Sequence, residues 1–596
     1  MTFVASYLDH WERELPDRRA ITYIDYGADR RGVDHAVTYG ELGLWTRALA
    51  AKIQQITSPG DRVALLAPQG AEYGAAFTAT IRSHAISVPL FAPDLPGQGD
   101  RLHAVVADCT PAAVLTTRDK YDLVRDLCVT HDVPESQIVV IEDFRSDTGL
   151  AAEYVFPSTA AVSDIAYLQY TSGSTRTPVG VCLTHANLVE NALQLKEGYD
   201  LKFTQASTVS WLPLFHDMGL ILGVASPVIG GLEAVLLDPV AFILKPSRWL
   251  HAISGRRNVM TAAPNFAFDY AVKRVRDDDR EGLDLSGVIA WINGAEPVLP
   301  STLERFRESF APQGVSPKDV KPTYGLAEAT VFVATTPLDE AGTVIEVDWQ
   351  QLQHGVATTE VAEGTRPTKL VACGQAIGQH LAIVDPETRE LLPDGRVGEI
   401  WLNGANVGVG YWQRPDETEA LFNAKLVLPE AGVRHGTATT LPADGGEAGP
   451  ELPVDHWLRT EDLGVIVDGR LFVTGRIKDL IIIDGRNVYP HDVEYTVEEA
   501  HEVVAQRRLA AFSIATDSGE ELVVVAERYR HTDATGKLDE AAAAARDAVS
   551  REHAVALHDF VLVEPDTIPR TSSGKIARKA TRSAYLDGSL SRTSAG

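Results

Sequence analysis

Residues 165–188 read IAYLQYTSGSTRTPVGVCLTHANL. The apolar stretch IAYLQY has strand-forming side chains and runs into Thr171-Ser172-Gly173-Ser174-Thr175, a tight loop of four hydroxyl residues and one glycine. Such a loop offers hydroxyl and backbone N–H donors to phosphate oxygens, and its glycine lets the backbone approach them closely. It is not a Walker A loop, because no GxxxxGK followed by Ser or Thr occurs here and the nearby cation is Arg176. Taken alone, the same string also reads as a Ser/Thr-rich turn.

The flanking sequence supplies a context for that loop. Short runs rich in Val, Ile and Leu occupy 62–67, 113–116 and 137–141 and are separated by helix-length segments. The alternation resumes at 207–211 and 234–237. Apolar runs without polar alternation belong to strands covered on both faces, so an α/β fold with doubly wound parallel sheets is expected. No short-period repeat is present, which excludes a solenoid.

A chain of 596 residues exceeds one ordinary domain, and its 45% hydrophobic content suffices for large cores. The 82 acidic and 54 basic residues leave a net charge of -28. That balance disfavours nucleic acid or an anionic membrane surface as the main partner. Cys109, Cys128, Cys182 and Cys373 lie far apart without a CxxC pair, so free thiols in a reducing cytoplasm are expected. The N-terminal MTFVASYLDHWEREL carries Asp9, Glu12 and Glu14 and has no signal-like apolar core, and no stretch has the length of a membrane span. A soluble, cytoplasmic protein is the expectation.

Two segments break the α/β pattern. Residues 426–452 are loaded with Gly, Pro, Ala and acids, which predicts a mobile surface excursion. Residues 343–369 are polar apart from the alternating TVIEVD, which predicts a short inserted strand too polar to build a core. A domain boundary is expected in GRIKDLIIIDGRNVYP (475–490), where Arg476, Lys478 and Asp479 abut an apolar strand at 480–483. The division is thus 1–477 and 478–596. Roughly 115 residues beyond the junction make a small α/β domain.

YTSGSTRTPVGVCLTHANL resembles the phosphate loop of the adenylate-forming superfamily, and further matches follow in that superfamily's order. They are WLPLFHDMGL (211–220), NGAEPV (293–298), PTYGLAEAT (322–330), RTEDLG (459–464), GRIKD (475–479) and PRTSSGKIAR (569–578). Together they span most of the chain. The resemblance implies a large adenylating domain with a small β subdomain and a mobile C-terminal α/β domain.

It also implies ATP as substrate and Mg²⁺ as its counterion, with Glu328 and Thr171 as metal-facing residues, since Mg²⁺ takes hard oxygen ligands. Thr171, Ser172, Gly173, Ser174 and Thr175 would hold phosphate. Tyr324, followed by Gly325, would offer its ring to adenine, and Asn293 with the backbone of Gly294, Ala295 and Glu296 would meet the base edge. Asp462 would accept ribose hydroxyls, Arg476 would add a cation to ribose or phosphate, and Lys478 would mark the pivot between domains. His216 is placed in the catalytic set as the wall between nucleotide and acyl pocket, and a metal role for it is disfavoured. Lys575, in the loop TSSGK, would enter from the small domain and meet the charge that develops on carboxylate and α-phosphate. Without the motif context, solvated ion pairs, a core tyrosine and a surface lysine account for the same residues.

The acceptor is read from a departure in spacing. Glu328 and the next glycine-bearing motif, CGQAIG at 373–378, are about 45 residues apart, against about 4 to 6 for an ordinary connection. The extra material is 343–369, where fatty acyl-AMP ligases carry an inserted element. SWLPLFHDMGLI, TAAPNFAFDYA, KPTYGLAEATVFVATTP and IPRTSSGKIARKATRSAYLDGSL further resemble the actinobacterial ligases that prime polyketide synthases for mycolic-acid-type lipids. This resemblance implies a long-chain fatty acid activated to acyl-AMP and passed to a phosphopantetheine thiol on a carrier domain in trans. A basic face of Arg570, Lys575, Arg578, Lys579 and Arg582 is the expected contact for an acidic carrier. A long-chain acyl-CoA synthetase is the rival of the same class, and a non-catalytic nucleotide- or lipid-binding protein the rival of a different one.

Overall fold

The computed structural model describes residues 3–171, 178–201, 205–365, 367–428, 439–440, 452–483, 486–516, 519–530, 537–571 and 575–591. Among them the strands form two large sheets. In the first, Arg62–Leu66 lies between Ile86–Pro89 and Ala113–Thr116, all parallel, and Ile138–Val140 extends that edge. Ile165–Thr171 pairs parallel with Ile86–Pro89 and antiparallel with Val179–Thr184. In the second, Arg19–Asp25, Glu233–Leu237, Ser207–Ser210, Val259–Pro264, Val288–Gly294 and Val320–Tyr324 lie side by side and parallel. Helices such as Tyr39–Ile56, Ala71–Arg82 and His185–Gly198 cover the faces, and their apolar sides merge with the strands into one core that runs from Val4 to Leu471. The doubly wound α/β reading holds, and the strand runs appear within a residue of their expected limits.

Local chemistry sets where the helices begin. Thr38 accepts from the backbone N–H of Glu41 at 3.2 Å while the Glu41 carboxylate accepts from Thr38 N–H at 2.8 Å, a reciprocal cap that starts Tyr39–Ile56. Thr184 and Asn187 form the same box at the start of His185–Gly198. The remaining amide hydrogens of Asn187 donate to the carbonyls of Ala405 and Val407 at 2.7 and 2.9 Å. One cap therefore also fixes a loop more than two hundred residues away.

A four-stranded antiparallel sheet follows: His380–Val384, Gly398–Asn403, Leu458–Val467 and Arg470–Arg476. Beyond Arg476, a turn over Ile477–Asp479 leads to the C-terminal unit, a three-stranded sheet of Val504–Thr516, Gly519–Arg528 and Leu557–Val563 flanked by Pro490–Ala500 and Leu538–His553. Two of its apolar clusters are built from its own residues alone. The described cysteines are buried, and burial pushes the thiols of Cys109, Cys182 and Cys373 up to about 12. Among the described residues no helix is long and apolar enough to cross a membrane.

The insertion corrects one expectation. Val344–Asp348 pairs antiparallel with Pro367–Val371, so the predicted strand has a partner from the segment's own far end. Val347, Leu352 and Ala357 are buried with Ala372, Val465, Phe472 and Tyr489, so the segment does build a core, using cover lent by the four-stranded sheet and by the C-terminal unit. Its root is held by Lys321, whose fully buried ammonium donates to the carbonyl of Glu340 at 2.9 Å and to that of Pro337, and burial pushes its pKa down to about 8. Of the 426–452 excursion, Leu426 is buried beside Trp401 and Trp457, while most of the remainder lies outside the described residues. Leu352→Ala should cost the insertion about 2–4 kcal/mol of local stability. Hydrogen exchange should then rise across 344–371 while the core strands at 62–66 and 259–264 keep their protection.

Candidate active site

The parallel strands of the second sheet bring their C-terminal ends into line, with Pro264 opposite Gly294 and Asn293 opposite Pro322. Ligands of open α/β sheets bind beyond such ends. The chain turns sharply there. A Cβ on Gly294 would meet the Thr323 carbonyl oxygen at 2.8 Å, and one on Gly325 would meet the Val331 oxygen at 1.7 Å. Both positions admit glycine alone, because a backbone oxygen cannot swing aside as a side chain can. Ala295, exposed just past the strand, takes φ 66, and this turns its peptide groups away from the ladder.

Asn293 is fully buried, and its amide donates to Asn265 Oδ1 at 3.1 Å, so this side chain braces the turn from the core side. The half-buried Glu296 accepts from the Phe266 N–H at the start of Asn265–Arg274. Burial pushes its carboxyl up, with that N–H, Arg507 and Lys575 opposing.

Tyr324 is buried and its hydroxyl donates to Asp462 Oδ2 at 2.8 Å, while Arg476 Nε donates to Asp462 Oδ1 at 3.0 Å. Each carboxylate oxygen of Asp462 is thus oriented by one partner and keeps a lone pair for another donor. The strand carrying Asp462 is held through Glu399, which is fully buried, accepts from Arg459 Nε at 3.0 Å and from the Glu461 N–H at 3.1 Å. Asp462 in turn raises the Arg476 guanidinium above its ordinary value, against the effect of burial.

Glu328 accepts from the Tyr411 hydroxyl at 2.8 Å, and burial pushes its carboxyl up, with Tyr411 and Arg476 opposing. A half-buried carboxylate whose direct side-chain partner is a neutral phenol suits a cation. Among the described residues no group of three His, Cys, Asp or Glu could cage a metal, so an ion here would draw its remaining ligands from phosphate and water.

Lys575 reaches this cluster from the C-terminal unit. Its N–H donates to Thr571 Oγ1 at 3.1 Å and its carbonyl accepts from the Thr571 N–H at 2.8 Å. Burial pushes its ammonium below the ordinary lysine value. Arg476 acts in the same direction, and Asp217, Glu296 and Asp462 oppose. Asp217 opens the short helix Asp217–Leu220, directly after His216; burial raises its carboxyl, and the Met218 N–H and Lys575 lower it.

His216 is half-buried, its ring 4.6 Å from that of Phe215. Thr171 ends its strand opposite Val179, while Ser172, Gly173, Ser174 and Thr175 lie outside the described residues. Lys478 is exposed and pairs with Glu461 at 2.7 Å, apart from the Lys575 cluster.

Three participants were not read as site residues from the sequence: Asp217, Tyr411 and Arg507. The first stands inside the quoted WLPLFHDMGL and the second in GYWQRP, but only the fold brings them to Lys575 and Glu328. The basic face does not form as expected. Lys575 turns into the site, and Arg578 is held by Glu494 at 2.6 Å and Asp479 at 3.2 Å. Arg582 Nε donates to the Ser513 carbonyl, and Arg570, Lys579 and Arg582 are the exposed members of that group.

Strand ends that turn at Gly294 and Gly325, a tethered Asp462 and a lysine lent by a second unit are the features shared with the adenylate-forming class. The chain belongs to the AMP-binding enzyme family, which it matches over residues 8–412, and residues 478–595 match the family described as Disco-interacting protein 2-like, AMP domain. It is 40% identical to the long-chain-fatty-acid–AMP ligase FadD32 of Mycolicibacterium smegmatis, with 98% of this chain and 95% of that protein covered. It is 39% identical to a 4-hydroxyphenylalkanoate adenylyltransferase of Mycobacterium tuberculosis, with 99% and 93% covered. The solved fatty acid AMP ligase of Legionella pneumophila superposes with a TM-score of 0.72 at 31% identity, covering 99% of this chain and 97% of that one. The resemblance expected from the motifs is thereby established.

Gly325→Ala should destabilise the protein by about 1–3 kcal/mol and displace Glu328, because the added methyl would overlap a backbone oxygen. Calorimetry should show weakened Mg·ATP binding. Gly99→Ala, where nothing lies within 4 Å, should leave both properties unchanged.

Proposed function

We propose that the protein activates a long-chain fatty acid with ATP to acyl-AMP and pyrophosphate, and then transfers the acyl group to the phosphopantetheine thiol of a carrier domain acting in trans. The observation that carries this reading is the convergence of Lys575 on Asp217, Glu296 and the Asp462–Arg476 pair. Its support from outside the chain is the name of the M. smegmatis relative, a long-chain-fatty-acid–AMP ligase.

In the first half-reaction a fatty-acid carboxylate oxygen attacks the α-phosphorus. A C(O)O–P bond forms, the bond from the α-phosphorus to the bridging oxygen breaks, and pyrophosphate leaves. Lys575 supplies a cation where carboxylate and α-phosphate both carry charge. Tyr324 gives a flat wall to adenine, Asp462 accepts from ribose, and Arg476 holds Asp462 while facing the phosphates. Glu328, with Thr171 on the opposite strand end, would hold Mg²⁺, which neutralises the triphosphate. In the second half-reaction the thiolate sulfur attacks the acyl carbonyl carbon, the C–O bond to phosphate breaks, and AMP leaves. His216 lies at the wall between nucleotide and acyl chain.

We place the domain boundary at 477/478, so that rotation about Lys478 withdraws Lys575 and opens a path for the thiol arm. The insertion at 343–369 stands against coenzyme A in this reading. Its core is shared with Leu480 and Tyr489, on the far side of that pivot.

Lys575→Ala should lower pyrophosphate release by about 10² or more while ATP binding survives. In the unaltered protein the same step should fail on the alkaline side at a lower pH than an ordinary lysine, with a pKa near 10.4, would dictate, because a depressed pKa loses its proton earlier as pH rises. Near-normal release from the alanine variant, or a rate flat to pH 10.5, would remove Lys575 from the chemistry. Replacing 343–369 by a tight turn should leave acyl-AMP formation within a fewfold and add acyl-CoA synthesis, read by mass spectrometry. Efficient acyl-CoA synthesis by the unaltered protein would replace the carrier reading with that of a synthetase.

A further inference from the structure

The C-terminal unit touches the large domain through more than its lysine loop. The strand Val504–Thr516 slips register against Gly519–Arg528 between Val504 and Leu509, leaving Gln506 and Arg507 outside the ladder. Arg507 sits at φ 57, uncommon for a residue with a Cβ, and its N–H donates to Glu498 Oε2 at 2.7 Å. The bulge aims both side chains at the helix Asn265–Arg274. Gln506 meets Lys273, and the Arg507 guanidinium meets the Asp269 carboxylate, which is 5% exposed.

Asp269 is already occupied: Arg305 donates to its Oδ1 at 2.8 and 3.0 Å, and the Thr302 hydroxyl donates to its Oδ2 at 2.8 Å. Thr302 also accepts from Asn265, which accepts from Asn293 at the base turn. On its other side Arg507 presents its carbonyl to Arg570 at 3.3 Å, and Arg570 pairs with Ile576 at the neck of the loop that carries Lys575.

We infer that Arg507 and Asp269 form an interdomain latch that seats Lys575 for adenylation, with Arg507 a positioning residue rather than a catalytic one. The geometry links three things through one residue: its side chain reaches the helix whose first turn holds Glu296, its backbone forms the bulge, and its carbonyl meets Arg570 at the base of the lysine loop. The latch is built to open. When Arg507 leaves, Asp269 keeps Arg305 and Thr302, so no bare charge stays buried, and Arg507 regains water. A lock made from a lone buried pair would strand a carboxylate on opening and would hold the domains too firmly for two half-reactions.

The kinetic arm of the test rests on the adenylation reading; the exchange arm does not. With palmitate and ATP, Arg507→Ala should lower the maximal rate of pyrophosphate release about five- to tenfold, with KM for both substrates within about twofold. Arg507→Lys should recover most of that rate. Hydrogen exchange should rise at 265–271 and 569–571 in the alanine variant while the strands Leu522–Val525 stay protected. An unchanged rate in Arg507→Ala, a lysine variant as slow as the alanine one, or unchanged exchange at 265–271 would each overturn the latch. If the unaltered protein releases no pyrophosphate with fatty acids, the functional reading fails, and exchange alone decides the latch.

Discussion

The site turns on one costly arrangement, a half-buried lysine set among carboxylates that are themselves half-buried. Lys575 is pushed toward its neutral form and Asp217 and Glu296 toward theirs, and in each case burial is the largest cause. Mutual attraction offsets that cost only while the groups stay together. Carrying the lysine on a separate unit makes the cost conditional, since it arises only when the C-terminal unit is seated. In the proposed reaction, anionic substrates would shift that balance toward the seated, charged lysine.

The large domain contributes rigidity to the same end. Asn187, Asn191, Gln194 and Asn406 form a buried amide network that joins the helix His185–Gly198 to the loops on either side of Glu328. Thr330, at φ 67, is part of it through its bond to the Asn406 carbonyl at 2.7 Å. A satisfied polar network tolerates fewer alternative packings than an apolar one, because each displaced amide loses its partners. The turn from Tyr324 to Thr330, strained at one residue and closed to a Cβ at another, is held from three directions.

How much of this the sequence discloses depends on the distance over which each feature is decided. The strands at 62–66 and 113–116 are legible because burial on both faces writes an uninterrupted apolar run into neighbouring residues. The passage into the C-terminal unit is legible because the charged Arg476-Ile477-Lys478-Asp479 abuts Ile481-Ile482-Ile483 within a few positions. The insertion's core is not, since Val347, Leu352 and Ala357 are spaced by polar residues and gain cover from Val465 and Phe472 a hundred residues on. The expected basic face loses two of its five cations for the same reason. Its five cations are neighbours in the chain, but Arg578 is claimed by Glu494 and Lys575 by the site. Arg507 is invisible as a partner of Asp269 because a bulge, not a motif, points it there.

That insertion core also bears on how the two units move. Val347 and Leu352 come from the insertion, Val465 and Phe472 from the four-stranded sheet, and Leu480 and Tyr489 from beyond the pivot, yet all six share one cluster. The ring of Tyr489 lies where a Cβ on Gly475 would touch it at 3.2 Å, and the Trp349 ring is 6.1 Å from that of His553. If the units turn about Lys478 as proposed, the rotation would have to carry Tyr489 across the strand Arg470–Arg476 or pull it out of a packed apolar site. Close-packed side chains resist sliding by small steps and favour discrete arrangements. The reach of the C-terminal unit is then set by how far this cluster can repack, which couples the length and packing of the insertion to the poses open to the incoming thiol.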